Sequence, residues 1–235
     1  MTAGGRAVLF DLDDTLYPER EFVDGGFDAV ARFLAGTSGR AEADLAARLW
    51  ALHGRDGRGH LFDTLLAELG LADAPELVPA CLLVYRTHPT RLRPFPGIVP
   101  LLDRLRGSGV RTGLVSDGNA AVQSRKLAGL AGVAERLDAV VFTDELGPGH
   151  AKPSPISFLV ACRLLDASPS ATIYVGNDPR KDFIGARGAG LRTIRVGSLP
   201  DEGGAAAIEI ATANDADLAV DSLDALSTTL SGMTT

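Results

Sequence analysis

The sequence has few cysteines, no long apolar run and no signal-like leader. Its two cysteines, Cys81 and Cys162, are too few among 235 residues for a disulfide framework, and both lie in apolar helical segments that suit a buried thiol. No stretch of 18 apolar residues occurs, so we expect no membrane-spanning helix. The apolar segment before the first acidic residues is too short for the core of a signal peptide, so we expect no signal peptide and a cytoplasmic protein.

The chain also lacks a basic cluster. Its 30 Asp and Glu residues outnumber 23 Lys and Arg, giving a formal net charge of -7. Nucleic-acid-binding surfaces are rich in clustered basic residues, so we expect no nucleic-acid partner. Hydrophobic residues make up 46% of the chain, enough for a buried core. This composition suits a monomer and a homodimer equally.

Short apolar segments alternate with helical patterns over most of the chain. The segments are β-branched and apolar throughout, as are strands buried on both faces of a parallel sheet. We predict strands at residues 6–10, 112–115, 139–142, 172–175, 193–196 and 218–220. Helices are predicted at residues 97–107, 119–130, 154–165 and 179–189. The alternation predicts an α/β fold, with a doubly wound, Rossmann-like parallel sheet as its core.

Residues 17–91 interrupt this alternation. Apolar residues there recur at spacings of three and four, which predicts helices at residues 19–35, 41–53, 60–70 and 75–87. A block of this size after the first strand predicts a small helical domain inserted into the core. The core then comprises residues 1–16 and 92–235, and the proline-containing segment 91–97 forms the return connection.

Polar side chains follow the predicted strands. They are Asp11, Asp13 and Thr15 after the first strand, Ser116 and Asp117 after the second, Lys152 after the third, and Asn177, Asp178 and Asp182 after the fourth. Open α/β sheets bind ligands outside the carboxyl ends of their strands, so these side chains are expected at one edge. Crowded carboxylates need a cation, and hard oxygen ligands favour Mg²⁺. The residue types therefore indicate metal-assisted phosphoryl transfer at an aspartate, with a second carboxylate carrying protons.

Four short motifs, in this order, resemble those of the haloacid dehalogenase-like (HAD) hydrolases. They are Asp11-x-Asp13-x-Thr15, the strand-ending Ser116, Lys152-Pro153, and Gly176-Asn177-Asp178 with Asp182. The resemblance covers nearly the whole chain. It implies a phosphatase that hydrolyses a small soluble phosphomonoester with Mg²⁺ as its cofactor.

The resemblance also implies a role for each residue. Asp11 would attack phosphorus and form an aspartyl-phosphate, and Asp13 would act as general acid and then as general base. Mg²⁺ would be held by a carboxylate oxygen of Asp11, the backbone carbonyl of Asp13 and an acid of the fourth motif. The remaining implied roles are phosphate binding for Ser116, Asp117 and Lys152, support of the first-motif loop for Thr15, and contact with the metal or the lysine for Asp182.

The fourth motif departs from the family pattern, in which an acid directly follows the glycine. Asn177 occupies that position here, and Asp178 comes next. We assign the metal ligand to Asp178, four residues before Asp182. In the alternative frame, with a spacing of five residues, the neutral side-chain carbonyl of Asn177 replaces a carboxylate.

The helical insert resembles the small cap domain of the family, which closes over the site and excludes water. A Gly-rich segment of the insert contains four candidates for contact with a polar or anionic substrate: His53, Arg55, Arg58 and His60. A solvated connection between two helices is the alternative interpretation of this segment.

Other activities share parts of this pattern. A phosphomutase would use the same first motif and return the phosphoryl group to its substrate. A dehalogenase would have little use for Asp13, because halide leaves without a proton donor. A phosphonate hydrolase that forms a Schiff base would need a lysine in the insert, and residues 17–91 contain none. A non-enzymatic phospho-receiver or binding module would not need a turnover residue such as Asp13.

Overall fold

The sheet lies at the centre of the α/β unit. The structure is a computed structural model that describes residues 5–57, 59–197 and 215–234. Its strands are β1 (Gly5–Phe10), β2 (Arg111–Ser116), β3 (Ala139–Phe142), β4 (Ala167–Gly176), β5 (Arg192–Val196) and β6 (Leu218–Val220). Within the described residues these six strands pair in parallel, in the spatial order β3-β2-β1-β4-β5-β6. Chain order reverses between β1 and β4, and such a switch point is where α/β sheets bind ligands.

The residues between β1 and β2 form a helical unit of their own. The described residues divide into two compact units, one up to Glu19 and from Arg91 onward, the other Arg20–Thr90. The first helices of the chain are α1 (Glu19–Ser38), α2 (Glu42–Asp56), α3 (Leu61–Glu68) and α4 (Leu77–Thr87). Their apolar faces enclose a separate core, in which Leu34, Leu49 and Cys81 are fully buried. Helices with one apolar stripe need such a partner face to be stable.

Further helices accompany the strands of the α/β unit. They are α5 (Ile98–Gly107), α6 (Ala120–Gly129), α7 (Ile156–Leu164), α8 (Asp182–Gly188) and α9 (Leu223–Thr234). Side chains of β1, α7 and α8, among them Leu9, Phe158 and Phe183, pack into one buried cluster. The predicted α/β class and Rossmann-like sheet are confirmed. Among the described helices, none has the length and apolar character needed to cross a membrane.

Two elements begin three or more residues away from their predicted starts. Strand β4 starts at Ala167, five residues early, because Ala167 pairs with Gly5 across an irregular register. Helix α8 starts at Asp182, three residues late, because the preceding residues form a turn. In that turn the backbone N–H of Asp182 donates to the carbonyl of Asp178 at 2.9 Å.

Candidate active site

A buried charge cluster lies at the carboxyl end of β1. Asp11 directly follows this strand, and its Oδ1 accepts a hydrogen bond from Lys152 Nζ at 2.6 Å. The same ammonium group donates to Asp182 Oδ1 at 2.8 Å and to the Tyr174 hydroxyl oxygen at 3.1 Å. Asp11, Lys152 and Asp182 are all buried. The structure therefore brings together three predicted site residues from three different parts of the chain.

The charges of this cluster are not balanced. Burial raises the pKa of Asp11 to about 7, although the positive charge of Lys152 acts in the opposite direction. Burial alone would lower the pKa of Lys152, but the charge of Asp11 holds it well above its ordinary value. One lysine thus contacts two buried carboxylates. Asp11 Oδ2 accepts no hydrogen bond from the residues that the structure describes.

Asp182 also shapes the fourth-motif loop. Its Oδ2 accepts the backbone N–H of Asn177 at 3.1 Å and that of Asp178 at 2.8 Å. A Cβ atom added to Gly176 would lie 2.6 Å from this oxygen, so only glycine fits here. Asp182 therefore links Lys152 to the loop that follows β4.

Asp13 binds a second lysine. Lys126 Nζ, on α6, lies 2.8 Å from Asp13 Oδ1 and 2.9 Å from Oδ2. The Tyr17 hydroxyl donates to Oδ1 at 2.6 Å, and Gln123 Nε2 donates to Oδ2 at 2.9 Å. Burial alone would raise the pKa of Asp13, but the charge and hydrogen bonds of Lys126 lower it below its ordinary value. Asp13 is therefore held as a carboxylate in a fixed orientation.

Ser116 and Asp117 end and follow β2. Ser116 Oγ is buried and accepts a hydrogen bond from Gln123 Nε2 at 2.7 Å. Asp117 Oδ1 accepts the Thr143 hydroxyl at 2.8 Å and the backbone N–H of Lys152 at 3.0 Å. The Asp117 carboxylate thus holds the third-motif loop in place. A carboxylate would repel phosphate, so we expect the Asp117 side chain to support the site without touching the anion.

The two candidate metal ligands of the fourth motif make different contacts. Asn177 Oδ1 lies 3.5 Å from the Thr15 hydroxyl oxygen, which places the Asn177 side chain beside the first motif. The Asp178 carboxylate instead accepts hydrogen bonds from the backbone and guanidinium of Arg180, at 2.8 to 3.0 Å. The Asp178 side chain is 15% exposed, and that of Arg180 is 87% exposed. The Asn177 side chain therefore lies beside the first motif, the Asp178 side chain binds Arg180, and which of the two binds a metal stays a prediction.

The four candidates on the helical insert do not share one loop. His53 and Arg55 lie in the last turns of α2, because this helix continues through Gly54 to Asp56. The His53 ring packs edge-on against Phe27 and Trp50, with ring centroids 5.8 and 5.4 Å apart. Their contact with substrate stays a prediction.

The last two candidates follow the end of α2. His60 is exposed in a left-handed conformation, and its Nδ1 lies 3.9 Å from an Asp63 oxygen. Arg58 lies outside the described residues. A contact of either residue with substrate likewise stays a prediction.

Sequence reasoning did not single out Gln123, Lys126 and Tyr174. The amino-acid composition contained one indication that Lys126 belongs to the site. Only three of the 23 basic residues are lysines, and two of these, Lys126 and Lys152, bind the carboxylates of Asp13 and Asp11. The third, Lys181, lowers the pKa of Asp11 through its charge.

The oxygen donors of the site fit a Mg²⁺ ion. Within the described residues, no three His, Cys, Asp or Glu side chains form a metal site of their own. Among the described site residues, Asp11 Oδ2 accepts no hydrogen bond, and the Asn177 carboxamide oxygen lies 3.5 Å from the Thr15 hydroxyl oxygen; the family resemblance adds the Asp13 backbone carbonyl. Mg²⁺ is commonly bound by one or two carboxylates together with waters and substrate phosphate. These residue types fit such a site, and the binding of Mg²⁺ here stays a prediction.

Comparisons with known proteins agree with the predicted family. A model of the haloacid dehalogenase-like hydrolases matches residues 6–190. The glyceraldehyde 3-phosphate phosphatase of Methanopyrus kandleri is 36% identical over 199 residues, which cover 81% of this chain and 83% of that protein. The chain belongs to the haloacid dehalogenase-like hydrolases, and the predictions of this family and of an enzyme are confirmed.

Solved structures share the fold over almost the whole chain. A HAD phosphatase from Thermococcus onnurineus is similar at a TM-score of 0.63 and 24% identity, covering 97% of this chain and 98% of that one. A 2-haloacid dehalogenase from Pseudomonas syringae pv. Tomato DC3000 gives 0.62 and 25%, covering 97% and 99%. Because the fold serves different reactions, the reaction of this chain has to be argued from its site.

Proposed function

We propose that this protein is a Mg²⁺-dependent phosphatase that hydrolyses a small phosphomonoester through an aspartyl-phosphate on Asp11. The observation that carries the proposal is the pair of carboxylates at the end of β1, each bound to its own buried lysine. Asp11 with Lys152 suits a nucleophile, and Asp13 with Lys126 suits a separate proton carrier. The relationship to the Methanopyrus kandleri phosphatase supports the same reaction.

In the first step, a carboxylate oxygen of Asp11 attacks phosphorus. A bond forms between this oxygen and phosphorus while the bond from phosphorus to the ester oxygen breaks. Asp13, a carboxylate in the free protein, takes up a proton when the substrate binds and gives it to the departing oxygen, so that the alcohol leaves neutral. Lys152 and the Ser116 hydroxyl bind the phosphoryl oxygens and stabilise their charge during transfer.

In the second step, Asp13 takes a proton from a water molecule. The water oxygen attacks phosphorus, the bond to Asp11 breaks, and inorganic phosphate leaves. Asp13 regains the proton it gave up in the first step and releases it to solvent, so one cycle leaves the enzyme unchanged. A phosphomutase differs only in that a second substrate hydroxyl replaces this water.

We assign the Mg²⁺ ligands to the Asp11 carboxylate, the Asp13 backbone carbonyl and Asn177, in place of Asp178. When bound, Mg²⁺ would supply positive charge that stabilises the phosphoryl group during transfer. Asn177 takes this role because its carboxamide oxygen lies next to Thr15, whereas the Asp178 oxygens bind Arg180. Thr15 supports the loop, and Asp182 positions Lys152 and does not bind the ion.

A dehalogenase is the second candidate, since a dehalogenase has a similar fold. Displacement of halide by Asp11 would need no proton donor. Two buried side chains, Gln123 and Lys126, nevertheless bind Asp13 and fix its orientation. A carboxylate oriented in this way favours a reaction whose leaving group takes a proton.

The first test is phosphate release from a panel of phosphomonoesters. The panel begins with glyceraldehyde 3-phosphate, the substrate that the relative's name gives. We expect release with Mg²⁺, a fall of at least about tenfold after chelation, and recovery when Mg²⁺ is restored. Release of halide from 2-haloacids without phosphate release from any ester would contradict the proposal. Transfer to a second substrate hydroxyl would indicate a phosphomutase.

The second test separates Asn177 from Asp178. Asn177→Asp adds a carboxylate to the donor set and is expected to tighten Mg²⁺ binding about tenfold, because affinity rises with the ligand charge. Asp178→Asn is expected to leave it within about twofold. Calorimetric titration of the substrate-free protein with Mg²⁺ measures both. If Asp178→Asn weakens Mg²⁺ binding and Asn177→Asp leaves it unchanged, the metal ligand is Asp178, four residues before Asp182.

A further inference from the structure

Two buried polar side chains on α6 contact the first and second motifs. Gln123 and Lys126 lie three positions apart, hence on the same face of the helix, and each is 3% exposed. Burying an amide and an ammonium group is costly unless every contact is a good hydrogen bond. Neither residue belongs to the four motifs that define the family resemblance. Their contacts indicate what they do.

Lys126 fixes the direction of the Asp13 carboxylate. Its ammonium group contacts both oxygens of Asp13, at 2.8 and 2.9 Å, and also Glu19 Oε1 at 3.2 Å. A carboxylate held at both oxygens cannot rotate freely about its χ2 bond. Proton transfer requires the carrier to lie within hydrogen-bond reach of the reacting oxygen. A fixed orientation of Asp13 therefore serves the transfer directly.

Gln123 determines where the Ser116 proton points. An ionised Asp13 can only accept hydrogen bonds, so the Gln123 amide must present its nitrogen to Asp13. The same nitrogen lies 2.7 Å from Ser116 Oγ, so the serine is the acceptor of this bond. Within the described residues Ser116 Oγ donates to no acceptor, and its one proton stays available. A buried hydroxyl proton without an acceptor fits an incoming phosphoryl oxygen.

We propose that Gln123 and Lys126 are positioning residues of this reaction: Lys126 orients Asp13, and Gln123 directs the Ser116 proton toward the phosphoryl group. The proposal rests on the proposed function. It separates two effects, since Lys126 acts on the departing alcohol and Gln123 acts on phosphate binding. These effects can be measured apart.

Lys126→Met removes the ammonium group with little change in length. We expect kcat/KM for an alkyl phosphate to fall about 100-fold, because a misplaced proton donor costs about this factor. For an activated aryl phosphate, whose leaving group needs no proton, we expect a fall of less than about fivefold. Lys126→Arg keeps the charge and should recover most of the loss. Arg125→Met, at an exposed position of the same helix, is the matched control.

Gln123→Met removes the amide and keeps the length of the side chain. We expect the inhibition constant of inorganic phosphate, and its calorimetric dissociation constant, to rise about tenfold, as for one lost hydrogen bond to an anion. Thermal unfolding of every variant tests that the fold is intact. If Lys126→Met does not fold, Lys126→Arg and Gln123→Met carry the test.

Two results would overturn the proposal. One is an equal loss for alkyl and aryl phosphates in the Lys126 variants, which indicates general damage to the site. The other is unchanged phosphate affinity in Gln123→Met. A wild-type protein that hydrolyses no phosphate ester would instead contradict the proposed function itself, so it is assayed first.

Discussion

Replacing Asp11 with asparagine is expected to lower kcat by at least about 10⁴-fold, because an amide cannot form the covalent phosphoryl intermediate. The substituted side chain has the same size, and its surroundings should not rearrange. The buried cluster of Asp11, Lys152 and Asp182 even gains charge balance, since one lysine then faces one carboxylate. Thermal unfolding should therefore occur at the wild-type temperature or above it.

Asp14→Asn is the matched control, the same chemical change three residues further along. Asp14 is exposed, has a φ of 55° and accepts the backbone N–H of Glu19 at 2.8 Å. Asparagine tolerates this conformation and offers the same acceptor, so kcat should stay within about twofold. Acid-quenched wild-type protein should carry a phosphoryl group on Asp11, as seen by mass spectrometry. A phosphoryl group on another residue, or an active Asp11→Asn variant, would refute the nucleophile assignment.

The sequence was sufficient to predict the strands and the positions of the main acids. Buried parallel strands are apolar along their whole length, and Asp11 and Ser116 stand where such runs end. Once the strands are placed, their parallel order brings these residues to one edge. Lys152 lies ten residues beyond β3 and needed the resemblance as well. Its contact with Asp11 is nevertheless the shortest in the buried cluster.

Contacts that depend on the direction of a side chain could not be predicted. Gln123 and Asp13 are 110 residues apart in the chain, and helical spacing only shows that Gln123 faces inward. Asn177 and Asp178 are adjacent, so composition and period cannot tell which one faces the site. The difference arises from Arg180, which binds Asp178, and from the two backbone N–H groups that bind Asp182. The different contacts of these two neighbouring side chains thus depend on tertiary structure.

The end of α2 shows a second limit of sequence reasoning. Gly54 and Gly57 suggested a loop from His53 onward, but the helix continues to Asp56. A single glycine costs a helix about 1 kcal/mol, which neighbouring packing can offset. Here His53 packs against Phe27 and Trp50 in the last turns. Of the two glycines, only Gly57 therefore marks the end of the helix, and Gly54 lies within it.

Replacing Lys152 with methionine is expected to reduce activity and stability together. The lysine contacts Asp11 and Asp182 with its side chain fully buried, so the variant leaves two carboxylates without their cation. Removing one partner of a buried ion pair costs about 3–5 kcal/mol. Activity should fall at least about 10³-fold, because both phosphate binding and the charge of Asp11 depend on this group.

The loss of stability in Lys152→Met should depend on pH in a defined direction. A carboxyl group whose pKa is higher in the folded state than its ordinary value destabilises the fold as pH rises, because the unfolded chain ionises first. Burial raises the pKa of Asp11 from 3.8 to about 7 even with Lys152 present, and removing the lysine raises it further. The variant should therefore lose stability, measured by urea unfolding with a chelator, as pH rises from about 4 to 7 and beyond.

Adding Asp182→Asn to Lys152→Met separates charge from packing. The double variant keeps one buried carboxyl group in place of two, so most of the stability lost at pH 7 should return. Activity should not return, since neither methionine nor asparagine can bind the phosphoryl oxygens. Equal stability of the two variants at every pH would show that Lys152 acts through packing and not through its charge. Recovery of stability without activity would show that the charge which stabilises this buried site is also the one that the reaction uses.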